Sequence, residues 1–530
     1  MLSRRALLEA VGSGAGIALL AACTPNTPGA APTSAPAQTP VSAGAAPAVQ
    51  SKPGGSVKLG VTAELPNLES HQMSPSTFNV VYQVHDRLVE YDANRQPVGQ
   101  LAESWDFSPD RRQVTFKLRQ GVKFHSGREF TSADIPPNVK HAADPKTGIG
   151  NLSVMSQWIT DIQTPDKYTA VLVTDQPRPS LFDYLQFLNI TDPETLQGPD
   201  AGTKLVGTGP YTFVEWVQGD HVTLRKNANY WKSGTPSLDE QEFRIFSDPQ
   251  AMVVQLEASA IDGVIAAPLR DLARLKDDPN YHYFPNQAAG TYTLIVANTT
   301  QPPLDKKEVR QAVNYALDRK RIADNVYLGL YGPPKALPWT PQNPAYDAAK
   351  NAAYGYDLDK AKSLLQQAGV SNAQFDMIMP AGSAEYASVA QIIQADLATL
   401  GIQVGLKPLE TAAFNQAGLS KQGFGLIQDG SLFAQLLPSA ITVLSSFYQP
   451  SAPKTGLVSD QYTQLVNSLS VELDPAKQKA LYDQLNDFLI DQSHIMPLVA
   501  TIGSVLARAN LNGVGWMSYE GIDMRGASLS

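Results

Sequence analysis

Apolar and polar residues alternate along one short segment of the chain. Val114, Phe116 and Leu118 are apolar, and a single polar residue separates each of them from the next. This period of two is typical of a β-strand with one buried face, because successive side chains point to opposite faces. Turn residues at 108–110 precede the segment, and Gly121 interrupts it before apolar residues resume at 122–124. The pattern predicts the strands of a β-meander.

A helix start follows this meander. Thr131 precedes Asp134 by three residues, which is the spacing of a capping box at a helix amino terminus. Pro136 and Pro137 follow closely, and proline lacks the backbone N–H that a helix interior requires. We therefore expect a helix that begins short or bent.

Three later stretches repeat their apolar residues at the spacing of an amphipathic helix. Asp305 and Asp474 are the predicted caps of the first and third, and Gly401 ends the second, before residues 402–406 alternate as a strand. The apolar positions are Val309, Ala312, Val313, Ala316 and Leu317, then Val389, Ile392, Ile393, Leu397 and Leu400, then Leu481, Leu485, Phe488 and Leu489. These stripes predict core-facing helices. Helices and strands interleave without a detectable repeat, which indicates a mixed α/β class.

The amino terminus has the pattern of a lipoprotein export signal. Arg4 and Arg5 precede a weakly apolar stretch, residues 6–22, which is too short and too rich in glycine for a stable membrane span. Cys23, the only cysteine, follows Leu-Ala-Ala as in a lipobox, where the thiol is lipidated with acyl chains such as palmitate. The pattern predicts a signal peptide over 1–22 and a membrane anchor at Cys23. The general and twin-arginine export routes both stay open.

Residues 23–53 after the signal are mainly Pro, Ala, Thr, Ser and Gly. Such a composition buries too little apolar surface to order itself, so we expect a disordered tether. The remaining chain is long enough for several hydrophobic cores, since 43% of all residues are hydrophobic. A net charge of −9 argues against nucleic acid as a partner.

Motifs for catalysis and metal binding are missing from the sequence. It has neither the G-x-S-x-G elbow of serine hydrolases nor the H-E-x-x-H pattern of zinc proteases, so we do not expect an enzyme. The seven histidines are spread out, and no pair has the spacing of helical or finger-like metal ligands. We therefore expect no metal and no cofactor.

Three segments carry a resemblance to a known family. Residues 102–134 contain A-x-x-W followed by T-F-x-L-R-x-G-V-K-F-H-x-G-x-x-F-T-x-x-D, and residues 206–211 read V-G-T-G-P-Y. Residues 302–318 contain P-P-x-D, V-R-Q-A and Y-A-x-D. Together they resemble the extracytoplasmic solute-binding proteins of ABC importers, in the large family of oligopeptide, dipeptide and nickel binders. The resemblance covers roughly residues 55 to 530.

The resemblance implies a two-lobed periplasmic-binding-protein fold with mixed sheets and a hinge between the lobes. Lobe I would comprise residues 54–85, 205–289 and 496–530. An extra subdomain, residues 86–204, would be inserted in this lobe and would contain the signature block. Lobe II would comprise residues 290–495. A cleft between hinged lobes suits ligand capture, because closure removes water from the ligand.

The function implied by the resemblance is solute capture outside the cytoplasm, and the solute is expected to be an oligopeptide. The chain would act as a monomer and deliver its ligand to the transmembrane subunits of an ABC permease. An oligosaccharide, or nickel, is the alternative ligand on the same scaffold. A surface adhesin or a sensory lipoprotein is the alternative of a different class.

The resemblance also suggests ligand contacts. In peptide-binding relatives an aspartate in a loop holds the ligand ammonium, and residues 427–430 align with that loop, which makes Asp429 the candidate. The loop at 71–77 corresponds to a ligand-contacting segment, which adds Met73 and Ser74. Each has a plain alternative, namely a solvated aspartate and ordinary loop packing.

Two departures from the family pattern and two tryptophans complete the candidate set. Leu426 stands where the loop has Trp, and no arginine lies near 386–388, where a dipeptide binder would pair the ligand carboxylate. A strict dipeptide receptor is therefore disfavoured. Trp339 and Trp158 are candidate stacking platforms for a sugar ring or an aromatic side chain, with core packing as the alternative. His125 belongs to the signature block, so we expect a structural role for it.

Overall fold

The computed structural model describes residues 54–530 except 63, 73–74, 93, 149, 198–201, 332–335, 342, 432–454 and 518–520. The expected signal peptide, the anchor at Cys23 and the tether over 23–53 lie outside the described residues, as do Met73 and Ser74. No helix within the described part is both long enough and apolar enough to cross a membrane.

The strands are β1 Ser56–Val61, β2 Val89–Tyr91, β3 Pro97–Gly99, β4 Ala102–Phe107, β5 Gln113–Leu118, β6 Ile159–Asp166, β7 Thr169–Thr174, β8 Tyr211–Val217, β9 His221–Lys226, β10 Glu240–Ile245, β11 Gly263–Ile265, β12 Tyr281–Ala297, β13 Ala373–Pro380, β14 Ile402–Leu409, β15 Leu426–Ser431, β16 Ile495–Arg508, β17 Leu511–Asn512, β18 Gly515–Trp516, β19 Ile522–Asp523 and β20 Ser528–Leu529.

The helices are α1 Pro75–Val84, α2 Ile135–Ala143, α3 Gly150–Ser156, α4 Leu181–Phe187, α5 Pro249–Glu257, α6 Leu269–Leu275, α7 Lys307–Ala316, α8 Arg319–Asn325, α9 Leu358–Gln367, α10 Ala384–Ala398, α11 Thr411–Ser420, α12 Asp460–Leu469 and α13 Pro475–Gln492, with short 3₁₀ turns at Ser132–Asp134, Pro193–Thr195 and Lys350–Ala352.

A ten-stranded mixed sheet is the backbone of the fold, in the order β14-β13-β15-β12-β16-β11-β1-β10-β9-β8. We call β8, β9, β10, β1 and β11 the first half of the sheet, and β15, β13 and β14 the second half. The strands β12 and β16, with 17 and 14 residues, are antiparallel neighbours and join the two halves. The pairing of β12 with β16 changes register between Pro285 and Gly290. The chain therefore passes between the halves on two adjacent strands with a local irregularity.

Helices cover both faces of this sheet, and each half has its own apolar clusters. The helices α7 to α10 pack on one face of the second half, and α12 and α13 pack on the other. The helices α5 and α6 pack against the first half. The predicted stripes lie inside these clusters: Val309, Ala312 and Val389 are 0% exposed, and Leu485 is 1% exposed. The expectation of core-facing helices is confirmed.

The alternating segment at 114–118 lies in a separate four-stranded sheet, β4-β5-β7-β6. Val114, Phe116 and Leu118 are at most 2% exposed and pack with α2 to α4 in one apolar cluster. The predicted strand at 122–124 is not formed, because only an isolated bridge from Lys123 to Glu129 occurs there. The meander is thus confirmed in its first strands alone.

The helix starts follow the predictions in two of three cases. The Thr131 N–H donates to the Asp134 carboxylate at 2.7 Å, and a 3₁₀ turn leads into α2, which gives the expected bent start. Asp474 caps α13 by accepting from two backbone N–H groups. Asp305 is not the cap of α7, because the helix begins at Lys307 and Lys306 occupies the cap position.

The G-T-G-P-Y motif fits tightly against the end of α1. A Cβ on Gly207 would lie 2.2 Å from the Val84 carbonyl oxygen, and a Cβ on Gly209 would lie 2.6 Å from the Val84 carbonyl carbon. Both positions therefore require glycine for close backbone approach. His125 of the signature block donates its backbone N–H to the Gly207 carbonyl at 2.8 Å, and its Nε2 lies 3.0 Å from the Gly209 carbonyl oxygen. This packing supports the expected structural role of His125.

Asp86 stabilises the junction between the end of α1 and the G-T-G-P-Y motif. Its carboxylate is buried and accepts from the Thr208 hydroxyl at 3.0 Å, the Tyr230 hydroxyl at 3.1 Å and the Trp231 indole N–H at 2.8 Å. Donors from two separate segments, around Thr208 and at Tyr230 and Trp231, thus converge on one carboxylate and satisfy it.

We expect Asp86→Ala to lower the free energy of unfolding by about 3 kcal/mol, because it leaves three donors, two of them buried, without an acceptor. Thermal and urea unfolding would measure the loss. The control is Asp277→Ala, which removes a carboxylate that is 80% exposed and should change stability by less than about 0.5 kcal/mol. Equal stability of the two variants would contradict the structural role of Asp86.

Candidate functional site

Asp429 lies where a buried strand reaches the surface of the second half of the sheet. It belongs to β15, opposite Leu294 of the antiparallel neighbour β12. Leu426 and Ile427 earlier in the strand are 0% exposed, whereas Asp429 is partly exposed. One Asp429 carboxylate oxygen accepts the Gly430 N–H at 2.8 Å. The residues that the family alignment placed in a loop are therefore a strand, which holds this carboxylate at a fixed position.

Tyr386 lies near this carboxylate, and Tyr327 and Tyr331 lie near Glu385, the residue before Tyr386. Burial raises the pKa of Tyr386 above its ordinary value, and the negative charge of Asp429 raises it further. The Tyr327 hydroxyl is 2.7 Å from the Thr293 hydroxyl, and the rings of Tyr327 and Tyr331 are 5.8 Å apart. Burial is again the main cause of the raised pKa of Tyr327 and of Tyr331. All three phenols therefore stay neutral at physiological pH and can donate hydrogen bonds.

Glu385 adds a second negative charge to this neighbourhood. It lies at the start of α10, and its charge contributes to the raised pKa of the three tyrosines. Two carboxylates beside neutral aromatic rings favour a cation, because ring faces and carboxylates both attract positive charge. The arrangement suits the ammonium group of a ligand.

A cavity of about 350 Å³ lies next to Glu385, between elements of the two sheet halves. Gln250 of α5 and Arg270 of α6 line one side, and Glu385 and Ser388 of α10 line the other. Arg270 is exposed and makes no hydrogen bond or ion pair to another residue in the described part of the chain. Its guanidinium is available for an anionic ligand group.

Sequence reasoning missed both Arg270 and the tyrosines. No arginine lies near 386–388 in the sequence, but Arg270, more than a hundred residues earlier, lines the same cavity as Ser388. The tyrosines come from α10 and from the region around α8, and share no motif. Only the fold brings them together.

The two tryptophan candidates lie in apolar cores. Trp339 is 1% exposed, and its indole N–H donates to the Asn486 side-chain oxygen of α13 at 2.6 Å. Trp158 is 7% exposed, and the Arg178 guanidinium covers its ring at 4.8 Å. Core packing, the alternative that the sequence analysis kept open, is what these surroundings favour. A ligand contact by either residue stays a prediction.

The segment 71–77 contains the two loop candidates, Met73 and Ser74. The segment 71–77 is not a loop throughout, because α1 begins at Pro75. Met73 and Ser74 lie outside the described residues, so ligand contact by them stays a prediction as well.

The structure brings together possible metal ligands that are far apart in the sequence. The spacing of the histidines along the chain predicts no metal site. In three dimensions Glu69, His71 and His141 come together, with one potential ligand atom from each within 4.8 Å of the others. Spacing along the chain could not reveal this group, since His71 and His141 belong to different segments.

Comparisons with known proteins agree with the motifs. Residues 96–455 match the model of the bacterial extracellular solute-binding proteins, family 5, middle region. The chain is similar to the glutathione-binding protein GsiB of Shigella dysenteriae, with 27% identity over 443 residues that cover 81% of this chain and 85% of the relative.

Solved structures show the same likeness. The binding protein AgaA of A. tumefaciens R10, in complex with agropinic acid, has a TM-score of 0.76 and 26% identity, and the match covers 90% of this chain and 99% of AgaA. The periplasmic binding protein DppA of Helicobacter pylori, in complex with the peptide STSA, has a TM-score of 0.76 and 23% identity over 90% of this chain and 98% of DppA.

These matches confirm the mixed α/β, two-lobed fold of the periplasmic binding proteins that the motifs predicted. The family match alone spans more than half of the chain. The chain therefore belongs to the bacterial extracellular solute-binding proteins of family 5, the solute receptors of ABC importers.

Proposed function

We propose that this receptor captures an oligopeptide in the cleft between its lobes and delivers it to the transmembrane subunits of an ABC permease. The observation that carries the proposal is the position of Asp429, a partly exposed carboxylate at the end of a buried strand with neutral tyrosines nearby. A carboxylate in such a place forms strong hydrogen bonds to an ammonium group, and peptides carry one at the amino terminus.

Arg270 supports the same ligand class from the opposite end. Peptides also carry a terminal carboxylate, and a guanidinium can bind a carboxylate through two parallel hydrogen bonds. Arg270 and Ser388 line the same cavity. A dipeptide receptor was disfavoured because no arginine lies near 386–388. Arg270 supplies such an arginine from another segment, so short peptides are candidates again.

The names of relatives are compatible with a peptide ligand. GsiB is named for glutathione, and the DppA structure contains the peptide STSA. The main alternative, an oligosaccharide, would stack on aromatic rings. The burial of Trp339 and Trp158 makes peptide the better supported ligand. Nickel is a lesser alternative, and an adhesin or sensory lipoprotein would not need tight, saturable binding of a small solute.

Closure of the lobes would complete the site. We assign lobe I to residues 54–85, 205–289 and 496–530, its inserted subdomain to 86–204, and lobe II to 290–495. The register change in β12 between Pro285 and Gly290 lies at this boundary and offers a flexible point. A ligand that contacts both lobes favours the closed state by its differential affinity.

The amino-terminal segments would keep the receptor at the membrane. We propose that residues 1–22 are removed, that Cys23 is lipidated and that residues 23–53 tether the monomeric binding domain outside the cytoplasm. A flexible tether would let the domain collect solute and reach the permease while it stays anchored.

The ligand class can be tested by thermal unfolding of the purified chain with pools of peptides or oligosaccharides. We expect peptides to raise the unfolding temperature, because a ligand at 100 times its Kd stabilises the folded state by about 2.7 kcal/mol. Stabilisation by oligosaccharides alone would replace the peptide proposal.

Asp429→Asn should weaken peptides with a free amino terminus by about 10-fold or more and spare the same peptides after acetylation, since one charge-assisted hydrogen bond contributes about 1.5–3 kcal/mol. Isothermal titration calorimetry measures the two affinities. Asp359→Asn, which changes an exposed carboxylate on α9 of the same lobe, is the matched control. An equal loss for both forms of the peptide would remove Asp429 from the ammonium site.

Arg270→Gln should weaken peptides with a free carboxyl terminus by about 10-fold and leave amidated peptides unchanged, because only the carboxylate pairs with a guanidinium. The control is Arg112→Gln, in an exposed turn of the four-stranded sheet region. Identical affinities of wild type and Arg270→Gln for free peptides would rule out this contact while leaving the Asp429 test intact.

A further inference from the structure

Three side chains from two separate parts of the fold converge beside α1. Glu69 and His71 lie in the segment between β1 and α1, and His141 lies near the end of α2. The two Nδ1 atoms of His71 and His141 are 3.0 Å apart, and the Glu69 carboxylate oxygen is 3.7 Å from the Nδ1 of His141. Imidazole nitrogens and a carboxylate oxygen are the donors that borderline divalent cations prefer.

The hydrogen bonds of His71 fix which nitrogen faces the group. Its Nε2 is 2.9 Å from the Asn189 carbonyl oxygen. A carbonyl can only accept, so Nε2 carries the proton and donates it. The Nδ1 of His71 then holds a lone pair that points toward His141, and a backbone carbonyl on the other nitrogen is the usual support of a metal-binding histidine.

The segment that carries Glu69 and His71 is held in place by its neighbours. The Asn189 side chain donates to the Ser70 carbonyl at 2.9 Å, and the Thr191 hydroxyl donates to the Ser70 hydroxyl at 2.7 Å. The His71 backbone N–H lies 3.3 Å from the same Glu69 oxygen that faces His141. Two of the three ligand atoms are thus positioned by contacts that need no metal, which lowers the cost of binding one.

The spacing of the donor atoms fits a small cation. A tetrahedral Zn²⁺ with bonds of about 2.0–2.1 Å places its ligand atoms roughly 3.3–3.4 Å apart. Two of the three separations, 3.0 Å and 3.7 Å, lie on either side of this value, and all three donor atoms lie within 4.8 Å of one another. A side-chain adjustment that closes the widest separation would therefore complete the geometry. Without a cation, the two Nδ1 atoms are joined by one hydrogen bond. The Glu69 carboxylate is partly buried beside them.

We propose that Glu69, His71 and His141 bind one Zn²⁺ or a similar borderline divalent cation, with a fourth coordination position left for water. Two nitrogen ligands disfavour Mg²⁺ and Ca²⁺, which prefer oxygen. The cation would cross-link the segment before α1 to the end of α2. Its role is structural, and its three ligands are separate from Asp429 and Arg270, so binding of the cation can be measured without any solute.

The test uses the full chain, purified without a histidine tag and stripped with EDTA. Calorimetric titration with Zn²⁺ should give one bound ion per chain, and Zn²⁺ should raise the unfolding temperature, because it binds the folded state. Co²⁺ in place of Zn²⁺ should produce the intense visible absorption of a low-coordinate site. His141→Gln should weaken Zn²⁺ binding more than about 100-fold, a loss larger than that seen for changes in supporting residues.

The matched control is His221→Gln. His221 also faces two carboxylates, with Asp220 at 2.9 Å and Glu215 at 3.4 Å, but these lie at opposite ring nitrogens and cannot share one ion with a single nitrogen. This variant should keep the wild-type affinity. If wild type binds no Zn²⁺, if His141→Gln binds it unchanged, or if only His221→Gln loses it, the proposal is wrong. Should His141→Gln fail to fold in EDTA, Glu69→Gln decides by the same readout, with an affinity loss of at least about 10-fold expected.

Discussion

The pairing of β12 with β16 is the constraint on which the rest of the fold depends. These two strands contribute backbone hydrogen bonds to both halves of the large sheet, and no other strands among the described residues do so. The strands of the second half, including the one that carries Asp429, are therefore joined to the first half of the sheet through this one antiparallel pair. A change in their twist at the register irregularity between Pro285 and Gly290 would move whole layers, because the packed cores on either side behave as rigid units.

The same arrangement explains how opposite charges reach one cavity, since Glu385 and Arg270 both line it. Asp429 and Glu385 belong to elements packed on the second half, whereas Arg270 belongs to α6 on the first half. A zwitterionic solute held between them would bring the halves together, since each end contacts a different rigid unit. Attraction between the lobes would then come from the ligand itself, and an empty receptor would keep its charges solvated and apart.

The parts of this molecule that sequence could predict are those set by local patterns. The alternation at Val114 to Leu118, the capping box at Thr131 and the stripes around Val309 and Val389 all gave elements that the structure contains, because burial and capping act within one turn or one strand. Asp305 shows the limit of this logic, since the turn ahead of α7 places the cap one residue later. The tyrosines near Asp429, the approach of Arg270 and the meeting of His71 with His141 depend on tertiary packing between distant segments. No local spacing encodes such contacts, so only the folded chain could reveal them.

The junction at Asp86 affects how the segment between Asp86 and Thr208 is attached to the rest of the fold. The chain leaves the main sheet region at Asp86 and returns at Thr208, and a 3.0 Å hydrogen bond joins the two residues, next to a backbone hydrogen bond from Gly209 to Val84. The residues between them form their own sheet and most of their own apolar cluster. A segment whose two ends meet in this way is expected to vary in length with little effect on the strands that it interrupts, provided that the Asp86 junction is kept. Surface variety in receptors of this architecture can therefore arise in this segment while the hinge and the cleft stay the same.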